Sequence, residues 1–238
     1  MKVLIHVYEK YLQPKGGAGA VCYYYNEEQK KRGDDILDFI PNLPEHSQKN
    51  NLFKLILKKI SNYFIILRKL YFSPKSTGQN YDNYDIVHFH DTNSLYYALA
   101  DLKKYKGRVL LQSHSPQPLA EEQYDSMDKK LKFLFPFAKY RYKRMDRMAF
   151  ERADYLIFPC PEAEEPYKKS LNYFNSIHQA RPSAFKYVLT GIPESKAKRS
   201  RQEVCEELNI PNSDFIITYV GRHNEIKGFD LYRLPFIY

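Results

Sequence analysis

Short apolar runs recur along the chain, each followed by a longer stretch of polar or helical spacing. Val3 to Val7, Ile36 to Ile40, Asp85 to His90, Arg108 to Gln112, Tyr155 to Phe158 and Tyr187 to Leu189 read as six strands. Helices are predicted over Ala20 to Lys31, over Ser94 to Lys104, and up to Arg152 before the fifth strand. Apolar strands alternating with helices are the pattern of an α/β fold: a Rossmann-like parallel sheet covered on both faces. Ligands of such sheets bind beyond the carboxyl ends of the strands. The chemistry is therefore sought at Gly16 and Gly17, at His90 and Asp91, at His114-Ser115-Pro116, and at Gly191-Ile192-Pro193.

Two segments interrupt this alternation. Leu52 to Phe72 places Leu52, Leu55, Ile56, Ile60 and Phe64 at helical spacing, interleaved with Lys54, Lys58, Lys59 and Arg68. Lys129 to Arg152 mixes Phe133, Leu134, Phe135 and Phe137 with lysines and arginines, and Pro136 is expected to start or kink a helix there. A solvated helix face is the common origin of such a pattern. The same composition suits shallow attachment to an anionic membrane.

Near the carboxyl terminus a second unit begins. Residues 1–194 read as one Rossmann-like domain, 195–213 as a linker with a short helix over Gln202 to Leu208, and 214–238 as the start of another domain. Phe215 to Val220 forms an apolar run that feeds a glycine turn at Gly221. Arg222 and Lys227 flank the turn, and Gly228-Phe229-Asp230-Leu231 opens a helix. Backbone N–H groups at a helix start, with two cations beside them, suit a diphosphate.

Bulk composition narrows the classes. Of 238 residues, 43% are hydrophobic, enough for a core, and the net charge of +9 favours anionic partners. Cys22, Cys160 and Cys205 are widely spaced with no C-x-x-C pair, which argues against a disulfide framework or zinc ribbon and fits a reducing cytoplasm. No run approaches a spanning helix, and the amino terminus lacks the features of a signal peptide. No nucleic-acid-binding module is recognisable.

Among the candidate sites, Lys15-Gly16-Gly17-Ala18-Gly19 is a glycine loop ahead of a helix, able to admit a phosphate to the backbone or to act as an ordinary turn. It is not a dinucleotide fingerprint: eight residues separate it from the first strand, and Cys22 occupies the third glycine position. His88 and His90 share a strand face, and His114 would be the third ligand of a metal. The plainer reading puts one histidine of the pair in the sheet and one in the cleft, with no metal. No Asp-x-Asp clamp for a divalent cation occurs.

Taken together these residues resemble a family 4 glycosyltransferase of the GT-B type. The resemblance rests on Gly16-Gly17-Ala18-Gly19, on Asp85-Ile86-Val87-His88-Phe89-His90-Asp91, on Gln112-Ser113-His114-Ser115, and on Tyr219-Val220-Gly221-Arg222 with Lys227-Gly228-Phe229-Asp230. It implies retaining, metal-independent sugar transfer from a nucleotide-sugar donor, with two Rossmann-like domains facing across a cleft. His114 would contact the donor sugar as the catalytic residue. Gly17, Arg222 and Lys227 would hold the diphosphate, and Gly16, His90 and Asp91 would line the acceptor side. No cofactor is implied.

The expected partners are the nucleotide-sugar donor, a saccharide or lipid-linked acceptor of cell-surface polysaccharide assembly, and an anionic membrane surface on its cytoplasmic side. The family's second domain would extend well beyond Asp230, so low activity of the 238-residue chain alone is a further expectation. The rival readings are a non-catalytic membrane- or glycan-binding module and one half of a split glycosyltransferase.

Overall fold

The computed structural model describes residues 1–7, 17–41, 71–72, 74–189 and 199–214. The chain falls into two compact units, Met1–Ile192 and Pro193–Tyr238. Gly16, Gly191, Arg222, Lys227, the apolar run from Phe215 and most of the basic segment Leu52 to Phe72 lie outside the described residues.

In the first unit six strands form one sheet in the order β2-β1-β3-β4-β5-β6. They are β1 (Val3–Val7), β2 (Leu37–Pro41), β3 (Ile86–Phe89), β4 (Arg108–Gln112), β5 (Tyr155–Phe158) and β6 (Phe185–Tyr187). Every neighbouring pair is parallel. The helices are α1 (Gly17–Arg32), α2 (Thr92–Ala98), α3 (Leu119–Asp125), α4 (Lys129–Leu134), α5 (Ala138–Arg152), α6 (Glu165–Ser170) and α7 (Asn172–Ala180). In the second unit the described helix is α8 (Arg201–Glu207), opened by a capping box between Ser200 and Glu203.

Strand alternation divides the core between the two sheet faces. Leu4, Val87, Phe89, Val109, Leu111, Leu156 and Phe158 pack on one face with α2, α5, α6 and α7. Val3 and Ile5 pack on the other with Cys22 of α1, supported by Tyr25, Leu37 and Ile86. Gln29 of α1 ties this helix to β2: its amide accepts from Leu37 N at 2.5 Å and donates to Leu37 O at 2.9 Å. Phe150, Phe158, Tyr167, Phe174 and Phe185 meet largely edge to face, with centroids 5.2–6.3 Å apart. Each such buried ring contributes about 1.5–3 kcal/mol.

The first helix starts at Gly17 rather than Ala20, so Gly17 to Gly19 of the expected glycine loop are helical. Three further boundaries differ from the sequence expectation for physical reasons. The helix expected over Ser94 to Lys104 stops at Ala98 and gives way to a 3₁₀ turn at Asp101–Lys103. There the Asp101 carboxylate accepts from Thr77 N at 2.9 Å and Thr77 Oγ1 at 2.8 Å, which draws the preceding loop onto the turn. The last strand starts at Phe185, two residues early, because the Phe185 ring docks between Phe158 and Phe174. The basic stretch from Lys129 divides into α4 and α5 at Phe135-Pro136, where proline lacks the N–H a continuous helix needs.

Candidate functional site

The strand order places a topological switch between β1 and β3. From β1 the sheet grows outward to β2 on one side and to β3, β4, β5 and β6 on the other. The crevice beyond the carboxyl ends of β1 and β3 is the expected ligand site of such a sheet. Gly17 opens α1 as an exposed residue, while Gly19 and Cys22 of that helix are buried. His90 directly follows β3, and His114 lies two residues beyond β4.

The β3–β4 register, with Phe89 opposite Leu111, brings the two histidine-bearing ends side by side. His90 Nδ1 lies 2.7 Å from His114 Nε2, and the rings stack with centroids 5.0 Å apart and planes 8° from parallel. His88 continues the stack, 4.3 Å from His90 by ring centroid. The i, i+2 relation read from the sequence thus holds. Both rings of that pair are buried, however, with His90 only 3% exposed, and His114 is the ring that reaches the surface. Tyr25 of α1 stands 6.3 Å from His90, at the edge of the same cluster.

Burial dominates the electrostatics of this cluster. It pushes His88 down to about 4, with further depression from His114 and a partial offset from the Gln112 side-chain hydrogen bond. His114 is lowered to about 4 by burial, and His90 is held well below the ordinary histidine value by burial and by its two neighbours. All three imidazoles are therefore neutral at physiological pH. In a neutral pair one ring nitrogen donates and the other accepts, so the tautomers of His90 and His114 are coupled, and with them the character of His114 Nδ1. The Nε2 atoms of His88 and His90 make no hydrogen bond among the described residues. With His90 Nδ1 and His114 Nε2 in direct hydrogen-bond contact, the rings face each other rather than a shared ion. Among the described residues no group of three or more His, Cys, Asp or Glu is placed to hold a metal.

Two residues absent from the sequence reading hold the loops of this edge. Tyr167 of α6 pairs its hydroxyl with Ser113 Oγ at 2.5 Å and donates to the carbonyls of Ser115 at 3.3 Å and Gln117 at 3.2 Å. It pins the turn that carries His114, and its ring is anchored in the aromatic cluster. Asp146 of α5 is buried. It accepts from Thr92 Oγ1 at the start of α2 and from Ala120 N at 2.9 Å at the start of α3. Burial raises its carboxyl to about 6, partly offset by those two hydrogen bonds.

Asp91 acts as a helix cap, accepting from Ser94 N at 2.7 Å and Ser94 Oγ at 2.5 Å. Its carboxylate is engaged along α2, which fixes the chain's exit from β3 and hence the place of His90.

The model for Glycosyltransferase Family 4 matches residues 15–175, more than half of the chain. The chain belongs to Glycosyltransferase Family 4. The match begins at the glycine segment that leads into α1, takes in the whole histidine cluster and ends within α7. The resemblance drawn from the glycine and histidine segments is thereby shown at the level of the family, and with it the glycosyltransferase class of enzyme. The cation pair Arg222 and Lys227 lies beyond the matched residues. A search of curated proteins returned no significant match. No helix among the described residues is long and apolar enough to cross a membrane.

Proposed function

We propose that this family 4 glycosyltransferase moves a sugar from a nucleotide-sugar donor to a saccharide or lipid-linked acceptor of cell-surface polysaccharide assembly, working at the cytoplasmic face of the membrane. The observation that supports the reading is His114: a neutral imidazole at the sheet's carboxyl edge, beside the switch point, with its tautomer coupled to that of a buried neighbour. A neutral ring can hydrogen-bond a sugar hydroxyl near the reacting carbon without adding charge there. The leaving diphosphate needs cations and N–H donors instead. In this reading Gly17 at the start of α1 offers backbone N–H, and Arg222 and Lys227 supply the charge. Gly16, His90 and Asp91 border the acceptor side, with His90 acting through His114 and Asp91 through the cap.

The test is release of nucleoside diphosphate from a panel of nucleotide sugars, with membrane lipid extract as acceptor. Wild-type protein is expected to consume one donor, and His114→Ala to lose about 100-fold or more of that rate. Equal rates for the two proteins would overturn the role given to His114.

A further inference from the structure

The crossover from β4 to β5 carries an unusual corner. Between α4 and α5 the side chains of Phe133, Leu134, Phe137 and Tyr140 all face water, Phe133 86% exposed and Phe137 66% exposed. Scattered surface apolar groups are ordinary, but four within eight residues make a patch that water disfavours. The corner is not a frayed end. Phe135, between the exposed residues, is 3% exposed and packs with Ala138, Tyr142 and Met145 in a small core of its own. One phenylalanine holds the turn down while its neighbours stand proud of it. Tyr71 joins from elsewhere in the chain, its ring 6.2 Å from Phe135 and beneath the Arg141 guanidinium at 5.4 Å. It brings the exposed ring of Phe72 to the same border.

Charge around the patch has one sign. From 129 to 144 there are seven lysines and arginines and no acid. Most of the acids just before are spent locally: Glu121 pairs with Lys139 at 2.7 Å and Lys143 at 2.9 Å, Glu122 accepts from Ser115 Oγ at 2.9 Å, and Asp128 caps α4 by accepting from Lys130 N at 2.8 Å, while Asp125 lies near Lys139. Lys129, Lys130, Lys132, Arg141 and Arg144 have no acidic partner among the described residues. Exposed aromatics set among cations without acidic partners match the boundary of an anionic bilayer, where rings enter the acyl edge and cations stay with the phosphates.

We propose that the α4–α5 corner is the surface by which this domain docks on an anionic lipid bilayer. The proposal sharpens the membrane-side reading above and rests on it only for the nature of the acceptor. It also orients the enzyme. α5 is 15 residues long, about 22 Å at 1.5 Å per residue, and it runs back toward the start of β5. Its first turn therefore lies toward the carboxyl edge that bears His114. Docking through this corner puts the candidate catalytic edge on the bilayer side, where a lipid-linked acceptor would be presented.

The chain contains no tryptophan, so a single introduced indole reports without background. Phe137→Trp in the full chain is mixed with phosphatidylcholine vesicles, with and without phosphatidylglycerol, some carrying brominated acyl chains. The expected result is a blue shift and bromine quenching only with the anionic vesicles. Co-sedimentation with the same vesicles should fall about fivefold for each of Lys129→Ala and Lys130→Ala, and about tenfold or more for Phe133→Ser/Phe137→Ser. Circular dichroism of the variants should match wild type.

An unquenched indole overturns the proposal. So does binding that ignores lipid charge, or a double serine variant that sediments like wild type. Loss of a wild-type dimer in that variant, with no vesicle binding by either protein, would assign the patch to a second copy of the chain instead. Nucleotide-sugar turnover in detergent is read in parallel, so a failed membrane test leaves the catalytic reading separately judged.

Discussion

The histidine stack behind the sheet edge and the aromatic corner between α4 and α5 border the same β4–β5 crossover, yet they treat water in opposite ways. At the edge His88 and His90 are drawn out of water with polar nitrogens left unsatisfied among the described residues. At the corner Phe133, Leu134 and Phe137 are held in water with no apolar surface to meet them among the described residues. Stability alone would favour neither arrangement. Exposed histidines and buried phenylalanines would cost the fold less. On the readings proposed above, the difference teaches where each region is completed: the edge by a small polar ligand that brings its own hydrogen bonds, the corner by an extended apolar phase.

The largest effect expected from breaking this contrast is on chemistry. His114→Ala removes the half-buried end of the stack and should lower sugar-transfer kcat by about 100- to 1000-fold. It should also flatten the pH dependence of folding. A histidine whose folded value is about 4 against an ordinary 6.5 leaves the fold unpenalised above 6.5, and stability is lost as pH falls from there toward 4. That share, roughly 3 kcal/mol at 1.36 kcal/mol per pH unit, should vanish from the variant's denaturant midpoints measured across the same window. A variant that keeps the wild-type slope would separate His114 from the buried cluster.

Asp146 tests the same principle with the sign reversed. Its carboxyl is raised to about 6 from 3.8, so protonation favours the fold. The contribution is present below 3.8 and is lost as pH rises through 6, by roughly 3 kcal/mol. In Asp146→Asn this component disappears, and stability should rise with pH from 4 to 6.5 more steeply than in wild type. Urea titrations at closely spaced pH values measure it. A variant no steeper than wild type would mean that Asp146 is hydrated rather than sealed between α2 and α3.

Tyr167→Phe comes next. It removes one hydroxyl that meets Ser113, Ser115 and Gln117, and should cost about 1–2 kcal/mol. Because the ring remains in its aromatic cluster, the fold should persist while the turn bearing His114 loosens. Hydrogen exchange confined to residues 113–117, with a rise in donor KM, is the expected signature. Uniformly faster exchange over α6 and α7 would assign Tyr167 to packing alone.

The sheet was legible from apolar runs because a parallel strand covered on both faces leaves a near-continuous apolar segment. His90 and His114 could be singled out by position, since each follows a strand. Their contact could not be read, because it depends on Phe89 lying opposite Leu111, a register written in neither strand alone. Tyr167 and Asp146 were illegible for a related reason. Each reaches its loop partner across 54 residues, as a side-chain hydroxyl or carboxylate with no local pattern. At the corner, Pro136 marked the break, but helical spacing did not say which of Phe133, Phe135 and Phe137 would turn inward. The choice falls to Phe135, whose burial with Tyr142 and Met145 closes the small core beneath the turn.

The smallest expected effect is the most discriminating. Phe133→Ser and Phe137→Ser should change the stability of the free protein by less than about 0.5 kcal/mol, because exposed side chains away from caps and cores contribute little. Phe135→Ser, two residues from each, should cost about 3 kcal/mol or more through the cavity it opens and the hydroxyl it buries. Thermal melts of the three variants in vesicle-free buffer decide the matter. A flat response at 133 and 137 beside a collapse at 135 means that the corner is built rigid with its apolar residues deliberately outside. Comparable losses at all three positions would instead make the patch part of the domain's own core, and the contrast with the histidine edge would fall.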